Sequence, residues 1–327
     1  MYPEFLANPF YIAGESYAGV YIPTLASEVV KGIKAALSPR INFKGYLIGN
    51  GVTDYEFDSN AFVPFVHGMG LISDGLFQDI TSACNGTYYG NISEKCRSKL
   101  GHLYIILKDF NIYDTLDPCR DDNSTTKGTD SWSRLRSSFK ELGKTDRPSP
   151  VRNRIFGRSW PFQSIVKEGL IPSWPELYKR LSASNCLVES PWLNYDAVRK
   201  AIHADPVNIT GKWELCTGQL TYTHDAGSMI PYHRNLTLGG YRSLIYSGDH
   251  DMCVPFTGSQ AWTESMGYKI TDEWRPWYSG DVVAGFTQGY DNNLTFLTIL
   301  GAGHTVPEYK PRESLDFYSR FLAGKPF

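Results

Sequence analysis

The stretch Asn8-Pro9-Phe10-Tyr11-Ile12-Ala13-Gly14-Glu15-Ser16-Tyr17-Ala18-Gly19-Val20-Tyr21 decides how the rest of the sequence is read. Phe10 to Ala13 is a short apolar run and reads as a buried strand. Gly14-Glu15-Ser16-Tyr17-Ala18-Gly19 surrounds a serine with small residues, in the pattern Gly-x-Ser-x-Ala-Gly, as where two backbones must pass closely. From Gly19 to about Ala36, apolar residues fall at Tyr21, Leu25, Val29 and Ile33, the spacing of an amphipathic helix. Strand, tight turn with a central serine, then helix is the setting of a nucleophile elbow. It lifts the hydroxyl above the sheet edge, and the helix N-terminus favours negative charge that develops nearby. The plainer alternative is an ordinary strand-to-helix turn in which Ser16 caps the helix.

The 327 residues suffice for one large core with an appended subdomain. A net charge of -2 gives no electrostatic basis for binding nucleic acid or an anionic membrane. No run approaches the ~20 apolar residues of a membrane span. Met1-Tyr2-Pro3-Glu4 opens the sequence without the basic and apolar regions of a signal peptide. Cysteines stand at 84, 96, 119, 186, 216 and 253, and Asn-x-Ser/Thr sequons begin at Asn85, Asn91, Asn123, Asn208, Asn235 and Asn293. Together they fit a secretory-pathway glycoprotein, extracellular or vacuolar. The absent leader and the early position of Ser16 point to a chain that lacks the front of its domain. His203, His224, His233, His250 and His304 form no His-Glu-x-x-His pattern, and the cysteines no Cys-x-x-Cys. No Gly-rich phosphate loop is present, so no metal or cofactor is expected.

Residues 41–49 read as the next strand, completing a β-α-β unit whose right-handed crossover makes the two strands parallel. Asn50-Gly51 follows as a turn at that strand's C-terminal end, where open α/β sheets place their sites. From about Tyr55 to Pro191 the apolar periodicity weakens, and residues 123–152 fill with Ser, Asn, Asp and Lys. Residues 55–190 are therefore expected to form an insertion or cap, with helices over Leu103–Phe110 and Trp174–Leu181 and 123–152 a mobile loop. Residues 1–54 and 191–327 are expected to form the core. There, Tyr195 to His203 reads as a helix with Val198, Ala201 and Ile202 inward, and Arg242–Tyr246, Gly285–Tyr290 and Leu294–Leu300 read as strands. Pro311 to Leu322 reads as a last helix with Leu315, Phe317, Tyr318 and Phe321 facing the core.

A serine hydroxyl becomes a useful nucleophile when a base takes its proton and an acid fixes that base. Ser16, then Asp251 in the turn after one strand, then His304 in the loop after another, give nucleophile, acid and base in the chain order of α/β-hydrolases. On spacing alone Asp249 could replace Asp251.

These blocks resemble the signatures of the serine carboxypeptidases: Asn8 to Pro23, Ser247-Gly248-Asp249-His250-Asp251, and Gly301-Ala302-Gly303-His304-Thr305-Val306-Pro307. The plant serine carboxypeptidase-like branch is most similar, and Gly248-Asp249-His250-Asp251-Met252-Cys253-Val254-Pro255 resembles its type I members. The resemblance implies an α/β-hydrolase fold with a helical cap insertion, lacking its early strands. It implies Ser16 as nucleophile, Asp251 rather than Asp249 as orienting acid, and His304 as base. Glu15 would share a proton with the C-terminal carboxylate of a peptide substrate, which implies an acidic working pH. The backbone N–H of Tyr17 would serve the oxyanion. Disulfides Cys84–Cys96 and Cys119–Cys186 are implied, with Cys216 lacking its usual partner and Cys253 a thiol near the site. The family's Trp-Leu-Asn-Gly-Gly-Pro-Gly-Cys-Ser-Ser block, which carries a second oxyanion donor and the carboxylate-binding Asn, is not in the sequence. The implied activity is release of C-terminal residues through an acyl-serine. The alternatives are an acyltransferase using glucose-ester donors on the same scaffold, or an inactive truncated relative.

Overall fold

The structure is a computed structural model that describes residues 3–108, 110–116, 192–213, 223 and 225–327. The expected loop 123–152, the helix over Trp174–Leu181, and Cys119, Asn123, Cys186 and Cys216 lie outside the described residues. The chain divides into two compact units, one of Met1–Leu116 with Thr223–Phe327, the other Asp117–Tyr222. This differs from the expected boundaries. Residues 55–116 pack with the sheet, and 191–222 fall in the other unit.

In the first unit a mixed sheet runs in the order β1-β2-β3-β6-β5-β4. Its strands are β1 (Phe10–Glu15), β2 (Phe43–Gly49), β3 (Arg242–Gly248), β4 (Ile270–Ser279), β5 (Val282–Tyr290) and β6 (Leu294–Ile299). β1, β2, β3 and β6 are mutually parallel, and β5 and β4 continue antiparallel. β2, β3 and β6 are apolar on both faces because both are covered. Tyr46 and Ile48 of β2 join Leu294 and Phe296 of β6 in one core layer, while Leu47, Leu297 and Ile299 face the other. The first layer is closed by the helices α1 (Ala18–Lys34), α7 (Ile230–Leu238) and α8 (Phe256–Ser265), through Ile22, Ala26, Leu236 and Trp262. The second is closed by α10 (Pro311–Ala323) through Phe317 and Phe321.

Three further helices, α2 (Tyr55–Gly68), α3 (Asp74–Cys84) and α4 (Glu94–Leu107), form a cluster around Val63, Val66, Ile80 and Leu103. Each starts on a side-chain cap, Asp54, Ser73 and Ser93 accepting from backbone N–H groups one turn in. The Cys84–Cys96 disulfide ties α3 to α4. Met252, in the turn after β3, packs into this cluster, so the helices are joined to the sheet edge that carries Asp251.

Two helix faces differ from the expected ones. Tyr21 and Leu25 of α1 are exposed, and the buried stripe is Ile22, Ala26 and Val30, one position on. In α10, Leu315 and Tyr318 are exposed, and Ser314, Phe317 and Phe321 are buried. β1 is the edge strand of the described sheet, and Phe10 on it is exposed.

The second unit is described through α5 (Asp196–Ala201) and α6 (Val207–Thr210). Of the residues expected to face inward on α5, Val198 is half-buried while Ala201 and Ile202 are exposed. The buried residue is Arg199, whose guanidinium donates to Asp205 O, Asn194 Oδ1 and Thr210 Oγ1. Three acceptors satisfy the buried cation, and Ile202 is left exposed.

Candidate active site

β1 delivers Ser16 into a left-handed backbone conformation, φ 61°, which non-glycine residues adopt only where the surroundings impose it. The turn is pinned on both sides. Ser16 N donates to Gly49 O at 3.0 Å, while Ser16 O accepts from Gly19 N at 2.9 Å and Val52 N at 3.0 Å. The small residues are required by contact. A Cβ on Gly14 would lie 2.5 Å from Ala18 Cβ, and one on Gly19 would lie 2.2 Å from Val52 O. Ser16 does not cap α1; Tyr17 occupies that position, directly after the serine and at the positive end of a 17-residue helix.

Asp251 follows β3, and His304 lies in the loop between β6 and the short helix α9 (Val306–Tyr309). Because β1, β3 and β6 are parallel, their C-terminal ends share one edge of the sheet, and Ser16, Asp251 and His304 follow those ends. His304 Nδ1 and Asp251 Oδ2 are 2.7 Å apart, both side chains buried. An acceptor carboxylate fixes the proton on Nδ1 and leaves Nε2 as the basic nitrogen. Burial opposes a charged His304, but the hydrogen bond and charge of Asp251, with Glu15 adding, raise its pKa above the ordinary value. Asp249 does not take this part. Its Oδ1 accepts from Gly301 N at 2.6 Å and so anchors the start of the His304 loop.

Asp251 is fully buried, which pushes its carboxyl up, and His304, Cys253 N and Val254 N pull against that burial. Cys253 N donates to Oδ1 at 2.8 Å and Val254 N to Oδ2 at 3.3 Å. A further donor was not foreseen from the sequence. Asn50 Nδ2 lies 2.7 Å from Asp251 Oδ2. In sequence Asn50 is half of an Asn-Gly turn, and nothing local distinguishes it from a turn former.

Glu15, one residue before Ser16, reaches the same place. Burial raises its pKa, and the His304 charge and a hydrogen bond with the Thr305 side chain oppose that rise. Asp251 and Glu308 raise it further. A half-buried carboxyl near two other carboxyls holds its proton above the ordinary carboxylic pKa despite the histidine beside it.

A second unforeseen element is the segment of residues 111–116, which crosses both loops. Ile112 O accepts from Met252 N, Tyr113 O accepts from His304 N at 2.7 Å, and His250 O accepts from Thr115 N. The Tyr113 ring lies 5.2 Å from the His304 ring. A Cβ on Gly303 would meet Tyr113 O at 2.3 Å, so glycine there admits the crossing. Asn85, Asn91, Asn208, Asn235 and Asn293 are all exposed. Among the described residues no cluster of His, Cys, Asp and Glu could hold a metal ion, and no helix is long and apolar enough to cross a membrane.

The family model for serine carboxypeptidase matches residues 1–324. Serine carboxypeptidase-like 21 and serine carboxypeptidase-like 20 of Arabidopsis thaliana are each 58% identical over 99% of this chain. Serine carboxypeptidase 1 of Hordeum vulgare is 55% identical over the same share. The chain spans 67%, 65% and 65% of these three relatives, about two thirds of their length. The crystal structure of Kex1(Δ)p, a prohormone-processing carboxypeptidase from Saccharomyces cerevisiae, superposes with a TM-score of 0.61 at 20% identity. It covers 98% of this chain and 64% of that one, and its likeness concerns the α/β fold. With the match running along almost the whole sequence, this chain belongs to the serine carboxypeptidase family.

Proposed function

We propose that this chain supplies the catalytic triad of a serine-type carboxypeptidase that releases C-terminal residues from peptides. The observation that carries the reading is the 2.7 Å contact of His304 Nδ1 with Asp251 Oδ2, at the sheet edge where the strained Ser16 turn ends. In the acylation step His304 Nε2 takes the Ser16 proton as the Oγ attacks the scissile carbonyl carbon. Asp251 holds the imidazolium that forms, and the Tyr17 N–H at the head of α1 donates to the developing oxyanion. His304 then returns the proton to the leaving amine, and water repeats the sequence to hydrolyse the acyl-Ser16. Glu15, in its protonated form, donates to the carboxylate of the terminal residue, which restricts cleavage to the last peptide bond.

The test is product analysis. Incubation with a peptide of defined sequence, followed by mass spectrometry over time, yields a ladder that shortens from the C-terminus. A C-terminally amidated copy is shortened far more slowly. Internal cleavage, or transfer of an acyl group to an alcohol acceptor in place of hydrolysis, would replace this reading with another.

We further propose passage through the secretory pathway. The Cys84–Cys96 bridge and the exposure of the asparagine in each described sequon support it. Glycosidase treatment of protein from its native tissue would lower its mass. No change would remove the proposal.

A further inference from the structure

Asn50 sits just past β2 with φ 39° and no exposed surface. Its side chain joins two loops. Asn50 Oδ1 accepts from Gly248 N at 3.0 Å, and Asn50 Nδ2 donates to Asp251 Oδ2 at 2.7 Å. Its own N–H donates to Tyr246 O at 2.9 Å, so the backbone is fixed to β3 as well. These contacts settle which way the amide points. Gly248 N–H is a donor and must face oxygen, which leaves the NH2 facing the carboxylate. Asp251 Oδ2 thus receives Asn50 Nδ2 and His304 Nδ1 at the same distance, 2.7 Å.

We propose that Asn50 is a positioning residue that fixes the rotation of the Asp251 carboxylate, so that Oδ2 faces the His304 Nδ1–H throughout the acyl cycle. The proposal rests on the triad reading above. A buried carboxylate free to turn about its Cβ–Cγ bond could offer either oxygen, or neither, to the imidazole. Cys253 N holds Oδ1 from one side, and Asn50, at 2.7 Å against 3.3 Å for Val254 N, is the nearer of the two donors besides His304 that hold Oδ2 from the other, which leaves a single orientation. Asn50 touches no substrate in this arrangement and acts only through Asp251. Asparagine also tolerates the left-handed backbone that the turn needs.

Two variants separate positioning from mere structure. Asn50→Gly keeps the left-handed backbone and removes the amide. Asn50→Asp is isosteric and keeps an acceptor for Gly248 N, but its other oxygen donates to Asp251 only while protonated. The readout is the rate of Ser16 modification by a fluorophosphonate across pH, separated into maximal rate and half-saturating concentration. Asn50→Gly is expected to lose about tenfold to a hundredfold in maximal rate with half-saturation unchanged. Asn50→Asp is expected to react like the parent at acidic pH and to acquire a new descending limb as pH rises. A purely structural role creates no such limb.

Folded Asn50→Gly with a rate within about twofold of the parent, or Asn50→Asp with the parent's pH profile, would overturn the proposal. If Asn50→Gly does not fold, the profile of Asn50→Asp decides alone. A parent protein whose Ser16 takes no label removes the triad reading and the proposal with it. That outcome is distinct from a labelled parent with indifferent Asn50 variants.

Discussion

Asp251 Oδ2 and His304 Nδ1 meet at 2.7 Å although 53 residues separate them, because β3 and β6 are adjacent and parallel. The contact charges the site as well as orienting it, since Asp251 is the main reason the His304 pKa is raised despite burial. Asp251→Asn is expected to leave the fold intact and to lower the rate of Ser16 acylation by ~10⁴, by removing the charge and permitting the wrong tautomer. The acidic limb of the remaining activity should move to lower pH, because the imidazole loses the anion that held its proton. Single-turnover kinetics against pH measures both.

The Glu15 carboxyl must carry a proton to donate to a substrate carboxylate, and burial raises its pKa. For a peptide with a free C-terminus, KM should therefore be lowest at acidic pH and rise as Glu15 ionises. The amidated peptide should show no such rise. Glu15→Gln replaces the carboxyl by a permanent donor, so KM should become flat with pH and stay within about tenfold of the acidic value of the parent. KM measured across pH for both substrates checks this.

Asp58 bears on stability in place of chemistry. Its Oδ2 accepts from Thr53 N and Asp54 N, its Oδ1 is buried without a hydrogen-bond partner, and burial raises its pKa from 3.8 to about 7. A raised carboxyl favours the folded state while protonated. That stability is complete below the unfolded value and is lost as pH rises toward the folded one. Stability should thus fall from pH 3.8 to about 7, by an amount on the order of 4 kcal/mol at 1.36 kcal/mol per pKa unit, and the melting temperature should fall with it. Asp58→Asn should flatten this part of the profile, as scanning calorimetry at a series of pH values would register.

Gly19 lies where the elbow helix passes the backbone after β2, and a Cβ there would lie 2.2 Å from Val52 O. Backbone cannot yield as a side-chain tip does. Gly19→Ala is expected to cost about 1–3 kcal/mol in stability and to move the Ser16 turn, with loss of labelling beyond what the stability change explains. Denaturant unfolding and labelling on one preparation separate the two effects.

Of the strands that build the site, β2, β3 and β6 were legible because they are buried on both faces, and the edge strand β1 by its short apolar run. Phe10–Ala13, residues 41–49, Arg242–Tyr246 and Leu294–Leu300 are apolar runs bounded by turn residues, and each lies within a residue or two of an observed strand. β4 was not legible. Ile270–Ser279 carries Asp272, Glu273, Arg275 and Pro276, as an exposed edge strand can, and shows no buried run. α2 was obscured by Pro64 within it and by a mixed surface, although Asp54 caps it. In the site, Ser16, Asp251 and His304 follow from chain order and strand ends. Glu15 followed only from family resemblance, because a lone glutamate beside a serine has no pattern of its own. Asn50 and the segment 111–116 act through contacts far apart in sequence, 201 residues in the case of Asn50 and Asp251, and local spacing carries no trace of them.

The central claim is that Ser16, Asp251 and His304 form a working triad in this chain. Fluorophosphonate labelling at acidic pH, followed by peptide mapping, tests it most directly. The account predicts a single label on Ser16 that is lost in Ser16→Ala and falls by ~10⁶ in rate in His304→Ala. Folded protein that takes no label, or takes it equally in His304→Ala, would contradict it.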